Sequence, residues 1–328
     1  MTAFVSGGSG FVGGAVIRRL VADGREVRAL ARSDAAASAV AALGAMPAPG
    51  DLGDPATLEA AMGGCDTVFA VAGVNRTCVR RRSELTGANV DGAAAVVRAA
   101  ARAGVPRVIH TSSAATLGET EGTVGDEDAS HRGAFLSEYE RSKFLGERAA
   151  LEAGRATGVE VVCVNPSSVQ GPGRTEGTAR ILLRAAAADR AVLVRTWISV
   201  IDVDDCAEGH VLAERHGVAG RRYVLSGATL RLDDAVELLR AIAGGPRRVR
   251  WIPRPVVRAA MPLAALGARF SSAPDPPVCP ALLRTLLHGH RYDGSRATRE
   301  LGLRYRPIEE TITRTVRWYR EHGLLPPA

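Results

Sequence analysis

The chain has 328 residues, of which 46% are apolar and 23% charged, a balance typical of a folded protein with one large two-lobed domain or two smaller ones. This composition excludes an intrinsically disordered chain, which would contain fewer apolar residues. The net charge is +7, but aromatic residues make up only 4% of the chain and do not alternate with the basic clusters 80–82 and 247–250, which argues against nucleic acid as a partner.

Strand and helix patterns alternate along the first half of the chain. The predicted strands are Ala3–Ser6, Glu26–Ala31, Met46–Pro49, Asp66–Ala72, Arg107–Ser112 and Val159–Asn165. The predicted helices are Phe11–Asp23, Ala35–Leu43, Pro55–Met62, Ser83–Ala103 and Leu136–Thr157. This alternation indicates βαβ units, and therefore an α/β fold with a Rossmann-type, doubly wound parallel sheet.

The pattern loosens after Pro166, where turn-forming residues and prolines become frequent. The elements predicted there are a strand at Trp197–Val203 and helices at Thr178–Ala188, Asp205–Arg215, Leu232–Ala243 and Ile308–His322. We therefore expect a dinucleotide-binding domain over residues 1–166 and a smaller C-terminal substrate lobe over residues 167–328. Residues 197–216 are expected to return to the Rossmann sheet.

The cysteines are widely spaced, odd in number and without a CxxC pair, which predicts reduced thiols: Cys65, Cys78, Cys163, Cys206 and Cys279. Cys and His show no metal-ligand spacing, so no metal site is expected. The N-terminus enters a strand and a turn without a signal-like apolar run, and the apolar stretch 256–266 is shorter than the ~20 residues of a membrane span. We expect a cytoplasmic protein without membrane insertion.

The composition singles out one basic residue. All of the 42 Lys and Arg residues except Lys143 are arginine. Arginine replaces lysine on most surfaces, but not where a compact ammonium on a flexible stem is needed. Lys143 therefore indicates a site at which arginine would fail, although survival by chance on the surface is the alternative.

A glycine-rich turn, Ser6-Gly7-Gly8-Ser9-Gly10-Phe11-Val12-Gly13, separates the first strand from the first helix. Unpaired N–H groups and the helix dipole favour an anion at such a helix N-terminus, and glycines allow a tight turn and a close approach of the backbone. The pattern fits both a GxxGxxG and a GxGxxG spacing. Within a βαβ unit it predicts binding of a dinucleotide pyrophosphate rather than a mere turn.

The end of the second predicted strand bears on the choice of dinucleotide. A carboxylate there would bind the ribose 2′-hydroxyl of NAD, but the chain has Arg32, whose guanidinium suits the 2′-phosphate of NADP. We therefore expect NADP(H), with NAD(H) as the alternative. Asp51, at the end of the third strand, is predicted to meet the adenine edge or, alternatively, to cap the helix that starts at Pro55.

Tyr139 and Lys143 lie four residues apart on a predicted helix, so their side chains share one face. A free phenol titrates near pKa 10, too high for ready proton exchange at neutral pH. A neighbouring ammonium and the oxidised nicotinamide ring would lower that pKa. We therefore predict that Tyr139 exchanges a proton with a carbonyl oxygen while hydride is transferred at carbon.

Two serines end the fifth predicted strand, at the carboxyl edge of the sheet where α/β folds bind ligands. Either Ser112 or Ser113 could place a hydroxyl on the reacting oxygen, and an ordinary strand-end turn is the alternative. We assign the catalytic hydroxyl to Ser113 and a cofactor contact to Ser112.

At this point the chain resembles the extended short-chain dehydrogenase/reductases, and in particular their dihydroflavonol-reductase and 3β-hydroxysteroid-dehydrogenase branch and hopanoid-associated sugar epimerases. The motifs that carry the resemblance are Ser6-Gly7-x-x-Gly10-Phe11-Val12-Gly13, Gly50-Asp51-Leu52, Asn89-Val90-x-Gly92, Thr111-Ser112-Ser113-Ala114, Tyr139-x-x-Ser142-Lys143, Asn165-Pro166 and Val203-Asp204-Asp205. They follow the family's order over about two-thirds of the chain.

The resemblance implies a set of site residues. Ser113, Tyr139 and Lys143 would form the catalytic set, with Asn89 in support, and the segment with Pro166, Ser168 and Val169 would lie along the nicotinamide. The full set of expected cofactor contacts is Gly7, Ser9, Gly10, Phe11, Val12, Gly13, Arg32, Asp51, Leu52, Ala72, Ser112, Tyr139, Lys143, Pro166, Ser168 and Val169. A homodimer through helices 83–103 and 136–157 is implied only by the resemblance.

Three functions remain open. The first is an NADP(H)-dependent reductase of a ketone or aldehyde in a small organic substrate, in either direction, with Arg174, Trp197 and the proline-rich C-terminal lobe shaping the pocket, although we expect core packing for Trp197 rather than that role. The second is a nucleotide-sugar epimerase with tightly bound NAD. The third, a non-catalytic dinucleotide-binding protein, does not explain the retention of Lys143. Ala114 and Ala115 stand where dehydratases carry an acidic pair, which counts against dehydration.

Overall fold

A computed structural model of the chain describes residues 1–79, 81–245, 248–271, 276 and 278–326, with the backbone alone at residues 178, 180 and 181. Arg80 and Arg247 of the two basic clusters lie outside the described residues. The described strands are β1 Thr2–Ser6, β2 Glu26–Ala31, β3 Met46–Pro49, β4 Thr67–Ala70, β5 Arg107–Thr111, β6 Glu160–Pro166, β7 Ser168–Gln170, β8 Arg190–Val194, β9 Trp197–Asp202, β10 Arg222–Leu225, β11 Ala228–Arg231 and β12 Arg248–Ile252.

The helices pack on both sides of these strands. Those described are α1 Phe11–Ala22, α2 Asp34–Ala41, α3 Pro55–Met62, α4 Arg82–Thr86, α5 Gly92–Arg102, α6 Glu138–Thr157, α7 Thr178–Ala187, α8 Val203–His216, α9 Leu232–Ala243, α10 Arg254–Ala259, α11 Met261–Phe270, α12 Pro280–His288 and α13 Ile308–Glu321. Within the described part of the chain, no helix is both long enough and apolar enough to cross a membrane.

The large sheet has the order β3-β2-β1-β4-β5-β6-β10, and every pairing in it is parallel. The chain moves outward from β1 to β3 and then crosses back to β4 on the other side of β1. This reversal opens a crevice at the carboxyl ends of β1 and β4, where open α/β sheets bind ligands. The prediction of a Rossmann-type, doubly wound parallel sheet is confirmed.

Alternate residues of β1 enter opposite layers of the core, because side chains along a strand point to alternate faces. Ala3 and Val5 pack with Ile17 of α1 in one fully buried cluster, which α8 also joins. Phe4 packs with Leu58 of α3 in the other cluster, together with α5. Both faces of the sheet are therefore covered, as its continuous apolar strands require.

Residues 197–216 were expected to return to the large sheet, and for the strand in this segment, β9, that expectation is wrong. β9 pairs with β7 and β11 in a separate three-stranded sheet, while α8 packs on the large sheet and against α1. The segment that returns to the large sheet is β10, beside β6. Adjacent parallel strands must be joined by a crossover connection, which usually contains a helix. Here α8 is a helix of the connection that leads from β6 to β10.

The predicted continuous helix 83–103 is interrupted by a π turn at Gly87–Asp91, between α4 and α5. The backbone of α6 approaches this turn so closely that a Cβ atom on Gly146 would lie 1.9 Å from the carbonyl oxygen of Asn89. Isolated π turns often occur at functional sites. Here the turn places Asn89 against the helix that carries Tyr139 and Lys143.

The expectation of five reduced thiols is wrong for two cysteines. Cys78 and Cys279 form a disulfide with their Cα atoms 5.8 Å apart, although 201 residues separate them in sequence. The other cysteines, Cys65, Cys163 and Cys206, are free and buried. Sequence spacing does not reveal such a pair, because the fold brings the loop after β4 to the start of α12.

The disulfide predicts a redox-dependent stability. Cys279→Ser should lower the free energy of unfolding by about 2–4 kcal/mol, because the unfolded chain regains the freedom of a long closed loop. Urea unfolding with and without reductant measures the effect. Reductant should destabilise the natural chain and leave the Cys279→Ser variant unchanged. With the disulfide intact, a thiol reagent should detect three free thiols in the unfolded, unreduced protein. Detection of all five cysteines as free thiols would contradict the disulfide.

The contact between α6 and the π turn predicts a contrast between two glycines. Gly146→Ala should destabilise the chain by about 1–3 kcal/mol, since the new methyl group meets a backbone carbonyl that cannot easily move. Gly87→Ala is the matched control, because Gly87 has helical dihedrals and open space around its Cα. It should be neutral or slightly stabilising. Equal urea midpoints for the two variants would contradict the described packing.

Candidate active site

The glycine turn forms a backbone cradle at the crevice of the large sheet. Gly7 has φ +74°, and a Cβ atom there would lie 2.7 Å from the Cα atom of Ala72 at the end of β4. A Cβ atom on Gly13 would lie 2.1 Å from the carbonyl oxygen of Gly7. Both close contacts involve backbone, whereas Gly8 meets the flexible end of Ile17. The structure therefore favours the spacing Gly7-x-x-Gly10-x-x-Gly13.

The N-terminus of α1 is free to receive an anion. Gly10 is its N-cap residue and supplies no side-chain cap, so the first N–H groups of the helix lack a side-chain acceptor. Phe11 and Val12 pack partly against the core, which fixes the first turn. The cradle and the uncapped helix fit the pyrophosphate of a dinucleotide.

Two predicted cofactor contacts lie at the neighbouring strand ends. Arg32, just after β2, is exposed and makes no hydrogen bond or ion pair within the described residues. Asp51, after β3, accepts a hydrogen bond from the N–H of Gly53 at 2.8 Å. The alternative that Asp51 caps α3 is wrong, because Asp54 is the N-cap residue and accepts from Ala56. Leu52 packs at the edge of the core beside Asp51.

The three predicted catalytic side chains converge at the carboxyl end of β5. Ser113 lies close enough to Tyr139 for its side chain to lower the pKa of the phenol. Lys143 is buried, and its Nζ donates to the carbonyl oxygen of Thr111 at 2.7 Å. Ser113 also accepts from the N–H of Ala115 and so caps a short 3₁₀ turn at Ala114–Leu117.

The electrostatics of this set differ from the expectation in one respect. Burial raises the pKa of Tyr139, while the Ser113 side chain and the positive charge of Arg174 act in the opposite direction. The positive charge that lowers the pKa of Tyr139 is that of Arg174, which the sequence did not single out for this role. Burial lowers the pKa of Lys143 to about 8, against the opposing influence of Glu147 one turn along α6.

Asn89 connects the π turn to the catalytic helix, as its predicted supporting role requires. Its Oδ1 accepts from the N–H of Val74 at 2.8 Å, and its Nδ2 donates to the Val74 carbonyl at 3.0 Å. Nδ2 also donates to Oγ of Ser142 at 2.9 Å, and Ser142 donates to the carbonyl oxygen of Tyr139. The amide therefore uses both its ends to hold the start of α6 in place.

The segment after β6 is only partly placed as expected. Pro166 ends β6, and Ser168 and Val169 form most of β7. The Val169 side chain lies in the hydrophobic core, and its predicted cofactor contact stays a prediction. Ser112 is buried, and within the described residues its hydroxyl has no hydrogen-bond partner, which leaves it available to a ligand.

Arg174 lies close to Tyr139, and Trp197 is partly exposed at a separate cavity. The Arg174 guanidinium lies over the ring of Phe11, 5.4 Å from its centre, and donates to the Val169 carbonyl at 2.6 Å. The expectation that Trp197 packs in the core is wrong, because this residue is 37% exposed. The Arg291 guanidinium lies over its ring. Trp197 lines a cavity of about 170 Å³ with arginines 195, 231 and 254.

The sequence missed a buried polar cluster beside the site. Glu119 accepts hydrogen bonds from Nδ1 of His290 at 2.7 Å and from Nε2 of His288 at 3.2 Å. The Tyr292 hydroxyl lies 2.8 Å from the same Nδ1, and Tyr139 is close enough to influence the pKa of Tyr292. The only sequence signal is the short His-x-His spacing, because Glu119 is remote in sequence.

Comparison with known proteins agrees with this geometry. Residues 3–226 match the model of the NAD dependent epimerase/dehydratase family. A Synechocystis protein named dihydroflavonol 4-reductase is 32% identical (98% of this chain, 95% of the relative). Sterol demethylase protein B of Methylococcus capsulatus is 31% identical (99% and 100%). The 4-hydroxy-2-methyl-3-oxo-4-farnesyl-3,4-dihydroquinoline-1-oxide ketoreductase of Stigmatella aurantiaca is 35% identical (92% and 91%).

Solved structures share the whole architecture. The crystal structure of gox2253 superposes with a TM-score of 0.83 at 32% identity and covers 99% of both chains. MoeE5 in complex with UDP-glucose and NAD superposes with a TM-score of 0.75, but at 20% identity it shows the fold alone. The match over residues 3–226 and the relatives above 30% identity show that this chain belongs to the NAD dependent epimerase/dehydratase family, among the extended short-chain dehydrogenase/reductases that its motifs resemble.

Proposed function

We propose that this chain is an NADP(H)-dependent oxidoreductase that reduces a ketone or aldehyde of a small organic substrate, or oxidises the alcohol, with Ser113, Tyr139 and Lys143. The observation that carries the proposal is the anchoring of Lys143 to the carbonyl oxygen of Thr111 at the sheet edge where Ser113 lies close enough to Tyr139 to influence the pKa of its phenol. The glycine cradle opens at the same edge. A proton donor and a dinucleotide cradle thus serve one crevice.

Each side chain has a separate task in this reaction. A bound nicotinamide supplies hydride at its C4 atom. Ser113 orients the substrate oxygen, and Tyr139 donates the proton to it. Burial keeps the Tyr139 phenol protonated at neutral pH, and the positive charge of a bound oxidised nicotinamide would lower its pKa toward the range in which the proton exchanges readily. Lys143 gives one of its three N–H bonds to Thr111, so the remaining donors are available to the ribose hydroxyls.

The proposed preference for NADP(H) rests on Arg32. Its guanidinium is exposed at the carboxyl end of β2 and unpaired among the described residues. No carboxylate occupies the position from which NAD-binding folds hold the ribose 2′-hydroxyl. A free guanidinium is the better partner for a 2′-phosphate. NAD(H) remains the alternative cofactor.

The names of relatives favour a substrate with a large apolar part. Two of the relatives above 30% identity carry the names of a sterol demethylase protein and of a ketoreductase for a farnesylated dihydroquinoline oxide. We therefore propose apolar ketones as the first substrates to test. Nucleotide-sugar epimerisation is the second candidate, favoured by the match of residues 3–226 to a family model that is named for epimerases and dehydratases.

Tyr139→Phe tests the proton donor. With NADPH and a panel of apolar ketones, the absorbance of the reduced nicotinamide should decay with the natural chain and about 10²–10⁴-fold more slowly with the variant, because only the donated proton is removed. Dissociation constants for NADPH should stay similar. Tyr223→Phe is the control, since Tyr223 is buried in β10 with its hydroxyl bound to Val218.

Two outcomes contradict this assignment. Full activity in the Tyr139→Phe variant would remove Tyr139 from the mechanism. Tightly bound NAD in the purified protein, with interconversion of nucleotide sugars and no net oxidation of NADPH, would replace reduction by epimerisation.

Arg32→Asp tests the cofactor preference. Loss of the guanidinium and gain of a carboxylate should weaken NADPH binding by about 10- to 100-fold, the size of a lost charged hydrogen bond, and strengthen NADH binding. Dissociation constants from nicotinamide fluorescence measure both effects. Arg304→Asp is a control of equal charge change at an exposed site in the C-terminal half. An unchanged ratio of the two constants in Arg32→Asp would refute the role of Arg32.

A further inference from the structure

The cluster of Glu119, His288 and His290 brings together donors from both halves of the chain. Glu119 follows the 3₁₀ turn that begins after Ser113, whereas His288 ends α12 and His290 lies two residues beyond it. The carboxylate oxygen and the two imidazole nitrogens all lie within 4.8 Å of one another. Glu119 and His288 are buried and His290 nearly so.

One oxygen of this cluster has no partner. Glu119 is only 2% exposed, and its Oε1 accepts from both histidines. Its Oε2 is buried without any hydrogen-bond partner among the described residues. A buried, ionised oxygen without a partner is costly, and such a group calls for an explanation such as a bound ion. The unpartnered oxygen is thus an observation independent of the clustering.

The donor set and its spacing fit a transition metal. Two imidazole nitrogens and one carboxylate oxygen form a known zinc set that leaves a fourth position open. With bonds of 2.0–2.1 Å, tetrahedral ligands are about 3.3 Å apart. The Glu119–His288 pair already has nearly this separation at 3.2 Å, and the Glu119–His290 pair at 2.7 Å needs to open by only about 0.6 Å.

The charges around the cluster leave room for a cation. Arg132 lies beside the cluster, and its Nη1 donates to the main-chain oxygen of Glu119 at 3.2 Å. Its guanidinium also forms an ion pair with the buried Glu140. The arginine charge is therefore matched by Glu140, and the Glu119 carboxylate keeps its negative charge for the cluster. The Tyr292 hydroxyl, beside His290, adds a neutral oxygen.

We propose that Glu119, His288 and His290 form a binding site for a divalent transition metal, with zinc as the ion that the donor set favours. The ion would fasten the end of α12 to the loop after the 3₁₀ turn. The disulfide from Cys279 to Cys78 already fastens the start of the same helix to the first half of the chain. The site does not depend on the proposed reductase activity, because it uses none of Ser113, Tyr139 and Lys143.

Zinc binding to the full-length protein tests this proposal without substrate or cofactor. The protein is stripped with a chelator, desalted and titrated with zinc by calorimetry, and bound metal is counted by elemental mass spectrometry. We expect one zinc ion per chain and a rise in melting temperature on binding. Glu119→Gln and His290→Gln should each weaken binding about 100-fold or more, since even supporting groups cost 10- to 100-fold. His216→Gln, at an exposed histidine, is the matched control.

Each result decides the question. Failure of the stripped natural chain to take up zinc, cobalt or nickel overturns the proposal and leaves a hydrogen-bonded Glu–His cluster. Unchanged zinc affinity in His290→Gln also overturns it, because the ion would then bind elsewhere. If Glu119→Gln does not fold, as judged by circular dichroism, His288→Gln replaces it with the same expected loss. Activity with NADPH plays no part in these outcomes, so failure of the proposed function is a separate result.

Discussion

The buried ammonium of Lys143 holds α6, the helix that also carries Tyr139, against the sheet. Moving such a charge out of water costs several kcal/mol unless partners replace the water. The carbonyl oxygen of Thr111 accepts one of its N–H bonds, and the Glu147 carboxylate stabilises its charge from the next turn. Glu147 in turn accepts from Asn165 of β6 at 2.6 Å, so the ammonium belongs to a network that joins α6 to two strands. Arginine, with a planar and larger head group, does not fit this geometry.

Close backbone contacts complete the site around this anchor. The absence of a Cβ atom at Gly7 and Gly13 lets the first turn meet the end of β4 and fold over itself. The same absence at Gly146 lets α6 rest on the π turn that carries Asn89. These contacts bring the glycine turn and Tyr139 to one edge of the sheet, so the proposed site depends on positions without a Cβ atom as well as on its polar side chains.

The C-terminal half is attached to this core by polar links. Within the C-terminal half, Asp202 caps α8, which packs against α1 of the first half, and forms ion pairs with Arg306 and Arg314, next to and on α13. Repulsion from Asp202 and Asp204 adds to burial in raising the pKa of Asp205 to about 7. The disulfide at the start of α12 and the Glu119 cluster at its end join the same halves again. Parts of this lobe that touch the site therefore depend on partners more than a hundred residues away.

The sequence by itself determined the alternation of strands and helices, the glycine turn, and the helical spacing of Tyr139 and Lys143, because each depends on neighbours a few residues apart. Several elements, such as β2 and α9, have the predicted bounds. Only the tertiary structure decided which glycines form the cradle, that Val169 faces the core, that Trp197 is exposed, and that Cys78 meets Cys279. The pairing of Glu119 with two histidines belongs to the same group. These features depend on contacts between segments far apart in the chain, whose proximity follows from packing and leaves no trace in local spacing.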